Sequence, residues 1–287
     1  MRDPIGDVYL KRTERMIKQA CAADYYKPSL RFRASELTSC PRQIFHRLMG
    51  ERPQPRTARG QDYGDGGDAA HDILRQALKD EGYEIGGIEF NDTGQVETKS
   101  HVGEFEFKDE TIKVACRLDG LIDHDGKDAV FEGKSVGYWK YKRMVQAYDS
   151  GGADRLLQHI EKHHLSYLWQ CQANMQIFDK PWAWLVIYDR SECRMGIHPN
   201  RDGMEIVGGL WLPRDDELWN DTILPKLYRI QRAVKKQAAL RPAELPGSQA
   251  CDWCAFSHCC HDAIQRRQQG LEPAVLYPWK LEGEDAG

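Results

Sequence analysis

The chain has 287 residues, 41% of them apolar and 29% charged, with a net charge of -4. That composition fits a globular protein with a real core. It supplies no global attraction to nucleic acid, so any such site must be a local basic patch. No apolar run approaches the ~20 residues of a membrane span, and the N-terminus MRDPIGDVYLKRTERM lacks an export signal's apolar core, so a cytoplasmic location is expected.

In chain order, LTSCPRQIFHRLMG predicts a short helix, with Thr38 or Ser39 as its cap, Pro41 in its first turn and Gly50 past its end. ERPQPRTARGQDYGDGG reads as a loop. From Asp68, DAAHDILRQALKDEG has apolar residues at helical spacing and places His71 in the first turn of a helix. Residues 83–136 alternate in the manner of strands separated by turns. Lys140 to His164 is helical but broken at DSGGAD, LSYLWQCQANMQIF is a further helix, and WAWLVIYD is a buried strand. A long amphipathic helix, ELWNDTILPKLYRIQRAVKKQAAL, leads through a proline-containing linker to CDWCAFSHCC. Helices flanking a central group of strands predict a mixed α/β fold with no internal domain boundary.

VFEGKSV, Val130 to Val136, admits two chemistries. A phosphate-cradling G-x-x-x-x-G-K-S loop needs its first glycine at position 128, which is Asp128, and strand composition up to Gly133 leaves no room for a loop. The alternative starts from Glu132. Asp125-Gly126 between alternating apolar residues is a two-residue hairpin signal, and that turn places Asp119 opposite Glu132 on the neighbouring strand. Lys134 shares a face with Glu132. Two carboxylates this close repel unless a cation intervenes, and Mg²⁺ or Mn²⁺ would both resolve the repulsion and activate a water for phosphodiester attack. Taken alone, the hairpin is equally compatible with an ordinary cross-strand ion pair at the surface.

RLDGLID followed by FEGKS resembles the D…E-x-K core of the PD-(D/E)XK nuclease superfamily, with Leu118 in place of the proline of that name. GDAAH is similar to the G-x-x-x-H element of its RecB-like branch, and YLWQCQANMQIF with WAWLVIYDR to a helix and strand of the phage lambda and YqaJ-type exonucleases. The resemblance implies a restriction-endonuclease-like core with a central mixed sheet, over about residues 60–200 of one 1–287 domain. It also implies His71 and the Gly133 carbonyl as further metal ligands beside Asp119 and Glu132. The resemblance further implies that Gln170, or else Gln172, orients Lys134, the water or the DNA. At Asn174 the chain departs from the tyrosine of CRISPR-associated relatives.

Nine cysteines in a reducing compartment do not suggest a disulfide framework. Cys251, Cys254 and Cys260 form C-x2-C-x5-C, with Cys259 able to replace Cys260, and Cys40 is the natural fourth thiolate. This resembles the iron–sulfur nucleases of AddB and CRISPR-adaptation type. The resemblance implies a [4Fe-4S] cluster joining segments at about 36–50 and 245–265, a structural clip closing a long loop. Zinc on four thiolates is the alternative. Cys21, Cys116, Cys171 and Cys193 read as buried thiols. His159 and His163 stand at i, i+4, where a solvated helical face competes with a metal site.

For DNA contacts the candidates are Tyr138 and Trp139 as stacking platforms, with Lys140, Lys142, Arg143, Arg42, Arg56 and Arg59 on phosphates. With no P-loop the chain cannot unwind duplex itself, so DNA ends, single strands, or a helicase or single-strand annealing partner are expected. The reading is thus a metal-dependent exonuclease, 5′-to-3′, of phage recombination or bacterial repair. A CRISPR-adaptation-type nuclease or a catalytically silent iron–sulfur DNA-binding subunit are the alternatives.

Overall fold

A computed structural model describes residues 30–51, 53, 71, 74–76, 78–80, 82–87, 89–90, 96–97, 100–124, 126–189, 206–237 and 254–256. Its strands are β1 (Arg31–Arg33), β2 (Ile85–Gly86), β3 (Glu89–Phe90), β4 (Val96–Glu97), β5 (Ser100–Phe107), β6 (Glu110–Arg117), β7 (Gly120–His124), β8 (Lys127–Val136), β9 (Trp182–Asp189) and β10 (Ile206–Pro213). The helices are α1 (Pro41–Leu48), α2 (Tyr138–Asp149), α3 (Gly152–His163), α4 (Leu165–Phe178) and α5 (Leu224–Lys235). The described residues between 71 and 80 are helical as well. None of these helices is long and apolar enough to cross a membrane.

The strands form a five-stranded sheet in the order β10-β9-β8-β7-β2, a three-stranded sheet β1-β6-β5, and the small pair β3-β4. β8 runs parallel to β9 and antiparallel to β7. A parallel neighbour requires a long crossover, which α2, α3 and α4 provide. β8 is central and covered on both faces, which is why AVFEG in its middle is buried without interruption. On one side Val130, Val136, Leu185 and Ile187 pack with Met144, Leu156, Ile160, Cys171 and Met175 of α2–α4. On the other, Ala129, Phe131, Val186 and Tyr188 pack with Leu74 and Leu78. A further core joins Phe32, Ile112 and Val114 to α1, Trp169, Trp219 and α5. The result is a mixed α/β architecture with helices on both faces of a central mixed sheet.

Gly126 has φ +71°, and the hairpin register runs as the Asp125-Gly126 turn predicts, from Gly120 opposite Phe131 to His124 opposite Lys127. Gly50 follows α1 at φ +79°, and the N–H groups of Gly50 and Glu51 close on the carbonyls of Arg47 and His46, a left-handed cap that favours glycine. Two expectations change. Cys40, not Thr38 or Ser39, caps α1, and its side chain makes no capping bond, because Pro41 takes the first helical position directly behind it. The long amphipathic helix is π-wound over Leu218–Ile223 before it becomes α5. Pro225 cannot give an N–H to the Asp221 carbonyl and its ring crowds that oxygen, so the preceding turn is wider. Arg31-Phe32-Arg33, one of the short basic stretches that the sequence offers as a local basic patch, forms an edge strand with Phe32 fully buried between two exposed arginines.

Candidate active site

Strand alternation sends Glu132 and Lys134 to the α4 side of β8 and Gly133 to the opposite side, against residues 71–80. A methyl at Gly133 would stand 3.3 Å from Leu74 Cδ2 and 3.5 Å from His71 Nδ1. The contact with His71 would be an ordinary one and only the Leu74 methyl would need to give, so His71 and Leu74 pack directly over this point of the strand. Asp119 immediately precedes β7. Its Oδ2 accepts the Gly133 N–H at 2.9 Å and lies 3.1 Å from His71 Nδ1, while Oδ1 accepts from Arg75 Nη2 at 2.9 Å. Arg75 also donates from Nε to the Asp119 carbonyl at 2.9 Å.

Glu132 is 1% exposed, and three donors meet its carboxylate. Lys134 Nζ and Gln170 Nε2 reach Oε1 at 2.5 and 2.7 Å, and Asn174 Nδ2 reaches Oε2 at 2.8 Å. Gln170 turns its own oxygen to Lys134 Nζ at 2.8 Å, so lysine, glutamate and glutamine form a closed ring of hydrogen bonds. The Tyr167 ring covers Lys134 Nζ at 5.3 Å.

Burial opposes ionisation of Asp119, but His71, Lys134 and Arg75 outweigh it and hold the carboxyl below its ordinary range. Burial lifts Glu132 to about 6 against the pull of Lys134, with Asp119 adding to the rise. Lys134 is held protonated: burial works against its charge, but Glu132 and Asp119 more than restore it. At neutral pH the site therefore carries two carboxylates balanced by Lys134 and Arg75. The repulsion assigned above to a missing cation is already answered by side chains. Among the described residues no three of His, Cys, Asp and Glu form a ready metal-holding group.

The donors nevertheless suit a divalent ion. Two adjacent ligands of an octahedral ion at about 2.1 Å stand about 3 Å from each other, the separation of His71 Nδ1 and Asp119 Oδ2. A carboxylate offers about four acceptor positions, and three donors occupy Glu132. A set rich in carboxylate oxygen fits Mg²⁺ or Mn²⁺.

The structure thus gathers His71, Asp119, Glu132, Gly133, Lys134 and Gln170. Gln172 lies elsewhere: it donates to the Pro213 carbonyl at 2.9 Å and accepts the Asp215 N–H at 2.9 Å, joining α4 to the end of β10. Arg75 and Asn174 were missed by sequence reasoning, although each stands four residues after a candidate, Arg75 after His71 and Asn174 after Gln170. If the site cuts phosphodiester bonds, Gln170→Ala should slow that step by about tenfold or more through a misplaced Lys134. Gln172→Ala should retain the rate and lose about 1–2 kcal/mol of stability. Single-turnover cleavage and urea denaturation of both variants check this.

Among the expected DNA contacts, Trp139 and Tyr138 are 70% and 46% exposed, with rings 5.1 Å apart, and Lys142 and Arg143 are exposed beside them. Lys140 is half-buried and donates to the Tyr167 hydroxyl at 2.6 Å. Arg42 must be struck from the set: it is 1% exposed, enclosed at the start of α1, and phosphate contact needs an accessible guanidinium. Arg56 and Arg59 lie outside the described residues.

Cys251, Cys259 and Cys260 also lie outside them, as do Cys21 and Cys193. Phe256 stacks on His46 of α1 at 6.2 Å, so the C-terminal segment carrying Cys254 packs on the helix that Cys40 caps. Lys226 donates to the Leu37 and Ser39 carbonyls at 2.6 and 3.0 Å. Burial lowers Lys226 to about 8, with the Cys40 thiol drawing it back up. Cys116 and Cys171 are buried thiols, and burial pushes Cys116 up to about 12.

No protein-family model matches the sequence, and no curated protein does. Among solved structures the chain is similar to the protein designated SSO0001, at 16% identity and a TM-score of 0.42 over 91% of this chain and 98% of that one. It is similar to an alkaline exonuclease, LHK-Exo, from Laribacter hongkongensis, at 15% identity and a TM-score of 0.44 over 78% and 94%. A phage-related exonuclease from Haemophilus somnus 129PT gives 16% identity and a TM-score of 0.34 over 74% and 95%.

Proposed function

We propose that this chain is a divalent-metal-dependent deoxyribonuclease that removes nucleotides from DNA ends, in the 5′-to-3′ direction. The observation that carries the reading is the convergence of Asp119, Glu132 and Lys134 with His71 and Gln170 at one place on β8. Asp119, Glu132, His71 and the Gly133 carbonyl would hold Mg²⁺ or Mn²⁺. The ion supplies Lewis-acid polarisation of the phosphate and lowers the pKa of a water. Lys134 has three N–H donors, of which Glu132 and Gln170 take two among the described residues. The third serves a phosphate oxygen or the attacking water. Asn174 and Gln170 keep Glu132 from swinging toward Lys134 alone, and Arg75 fixes the orientation of Asp119. Exposed Trp139 and Tyr138 offer faces to unpaired bases. A helicase or single-strand annealing protein would deliver the strand.

End-labelled single- and double-stranded DNA should be shortened with Mg²⁺ or Mn²⁺ and left intact in excess chelator, with activity restored by adding the ion back. Absence of cleavage under all of these conditions would overturn the reading. For the cysteines we propose a [4Fe-4S] cluster on Cys40, Cys251, Cys254 and Cys260, supported by the packing of Phe256 on α1. Anaerobically purified protein should contain iron and sulfide; colourless protein with zinc and no iron would replace the cluster by the zinc alternative.

A further inference from the structure

Among the described residues outside this site, a group of three histidines lies where α3 meets α4. The His159 and His163 rings are 4.8 Å apart, His159 and His164 5.7 Å, and His163 and His164 6.4 Å. His164 stacks on Tyr167 at 5.5 Å, and Tyr167 in turn covers Lys134 Nζ at 5.3 Å and binds Lys140 Nζ through its hydroxyl. The groups form a row that starts at the active-site lysine and ends at the exposed His163.

The charged groups facing the imidazoles are of one sign. Lys140 and Arg143 face them from α2 and Lys162 from α3 itself, while α4 contributes Tyr167. Among the described residues no carboxylate bonds to any of the three. Burial and then these cations depress His159 and His164, the latter to about 4. Cationic neighbours on this side thus disfavour the charged forms of His159 and His164 in the free protein. An anion laid along the row reverses that balance, because imidazolium gives charge-assisted bonds to phosphate oxygens.

We propose that His159, His163 and His164, with Lys140 and Arg143, form a proton-linked track for the phosphates of the DNA strand leaving or entering the site at Lys134. The track rests on the DNA-cleaving function proposed above. Phosphate oxygens beside the row favour the imidazolium forms of His159 and His164 that the neighbouring cations disfavour in the free protein. Protons are then taken up on binding, and affinity rises as pH falls through the values in the complex. Exposed Trp139 and Tyr138, on the same helix as Lys140 and Arg143, stand ready to stack bases.

The test uses the full chain and a fluorescent single-stranded oligonucleotide of about 20 nucleotides in chelator, so that binding alone is read. Glu132 titrates in the same range, so all proteins carry Glu132→Gln. Affinity should tighten about tenfold between about pH 7.5 and about pH 5.5. In the added His159→Gln/His163→Gln/His164→Gln variant that gain should fall below about twofold. The single exposed change His163→Gln, which cannot upset packing, should lose part of it. A pH-independent parent, or a triple variant that keeps the gain, overturns the track. Cleavage by the unmodified chain is measured separately. If it cleaves but the histidine changes do nothing, the track falls and the nuclease stands. If it does not cleave but the histidine-dependent gain persists, the track stands and the nuclease falls.

Discussion

Lys134→Ala is expected to slow DNA cleavage by about 100- to 1,000-fold or more while the chain still folds. The lysine is held from two sides by Glu132 and Gln170, so on the proposed function its ammonium would stabilise charge on a phosphate at no cost in reorganisation. Truncation leaves Glu132 buried with only Gln170 and Asn174 as donors. Its carboxyl, already raised to about 6, then rises further and binds a proton instead of remaining an unpaired buried charge. The loss in stability is about 3 kcal/mol, within reach of a domain whose total is about 5–15 kcal/mol. Single-turnover cleavage and urea denaturation measure the two effects. Cleavage at the parent rate would remove Lys134 from the chemistry.

Asp119→Asn should cost both activity and stability. Arg75 donates to one carboxylate oxygen and the Gly133 N–H to the other. An amide has one oxygen, so either orientation turns its NH2 group against a donor. A buried donor left facing a donor costs about 1–3 kcal/mol, and Arg75 loses its anionic partner as well. The same change removes the negative charge that a divalent ion needs. Titration of Mn²⁺ by calorimetry should show at least about tenfold weaker binding, and cleavage should fall to background. Retention of full Mn²⁺ affinity would mean that the ion sits elsewhere.

The half of the site on the β7–β8 hairpin was legible in the sequence, because an Asp-Gly turn fixes register and register fixes which side chains share a face. Glu132 and Lys134 fall together for that reason alone. Arg75 and Asn174 were not, since nothing local tells a helical arginine or asparagine which carboxylate it will meet. Only their spacing from His71 and Gln170 hinted at it. Arg42 misled because the sequence shows a charge and not its enclosure. β10 was overlooked because IVGGLWLP breaks its alternation with two glycines and a proline, while pairing with β9 supplies what the pattern lacks. The π-wound turn before α5 follows from Pro225, a residue visible from the start and read only as part of a longer helix.

The crossover between β8 and β9 has a consequence for how the site comes into being. Glu132 and Lys134 lie on its first strand, and Gln170 and Asn174 on its last helix. Parallel strands cannot pair until the intervening chain has been laid down, and such non-local pairing is slow to form. Sheet closure and assembly of the glutamate–lysine–glutamine ring are therefore one event along the folding path. A chain that has not closed its central sheet therefore has no glutamate–lysine–glutamine ring.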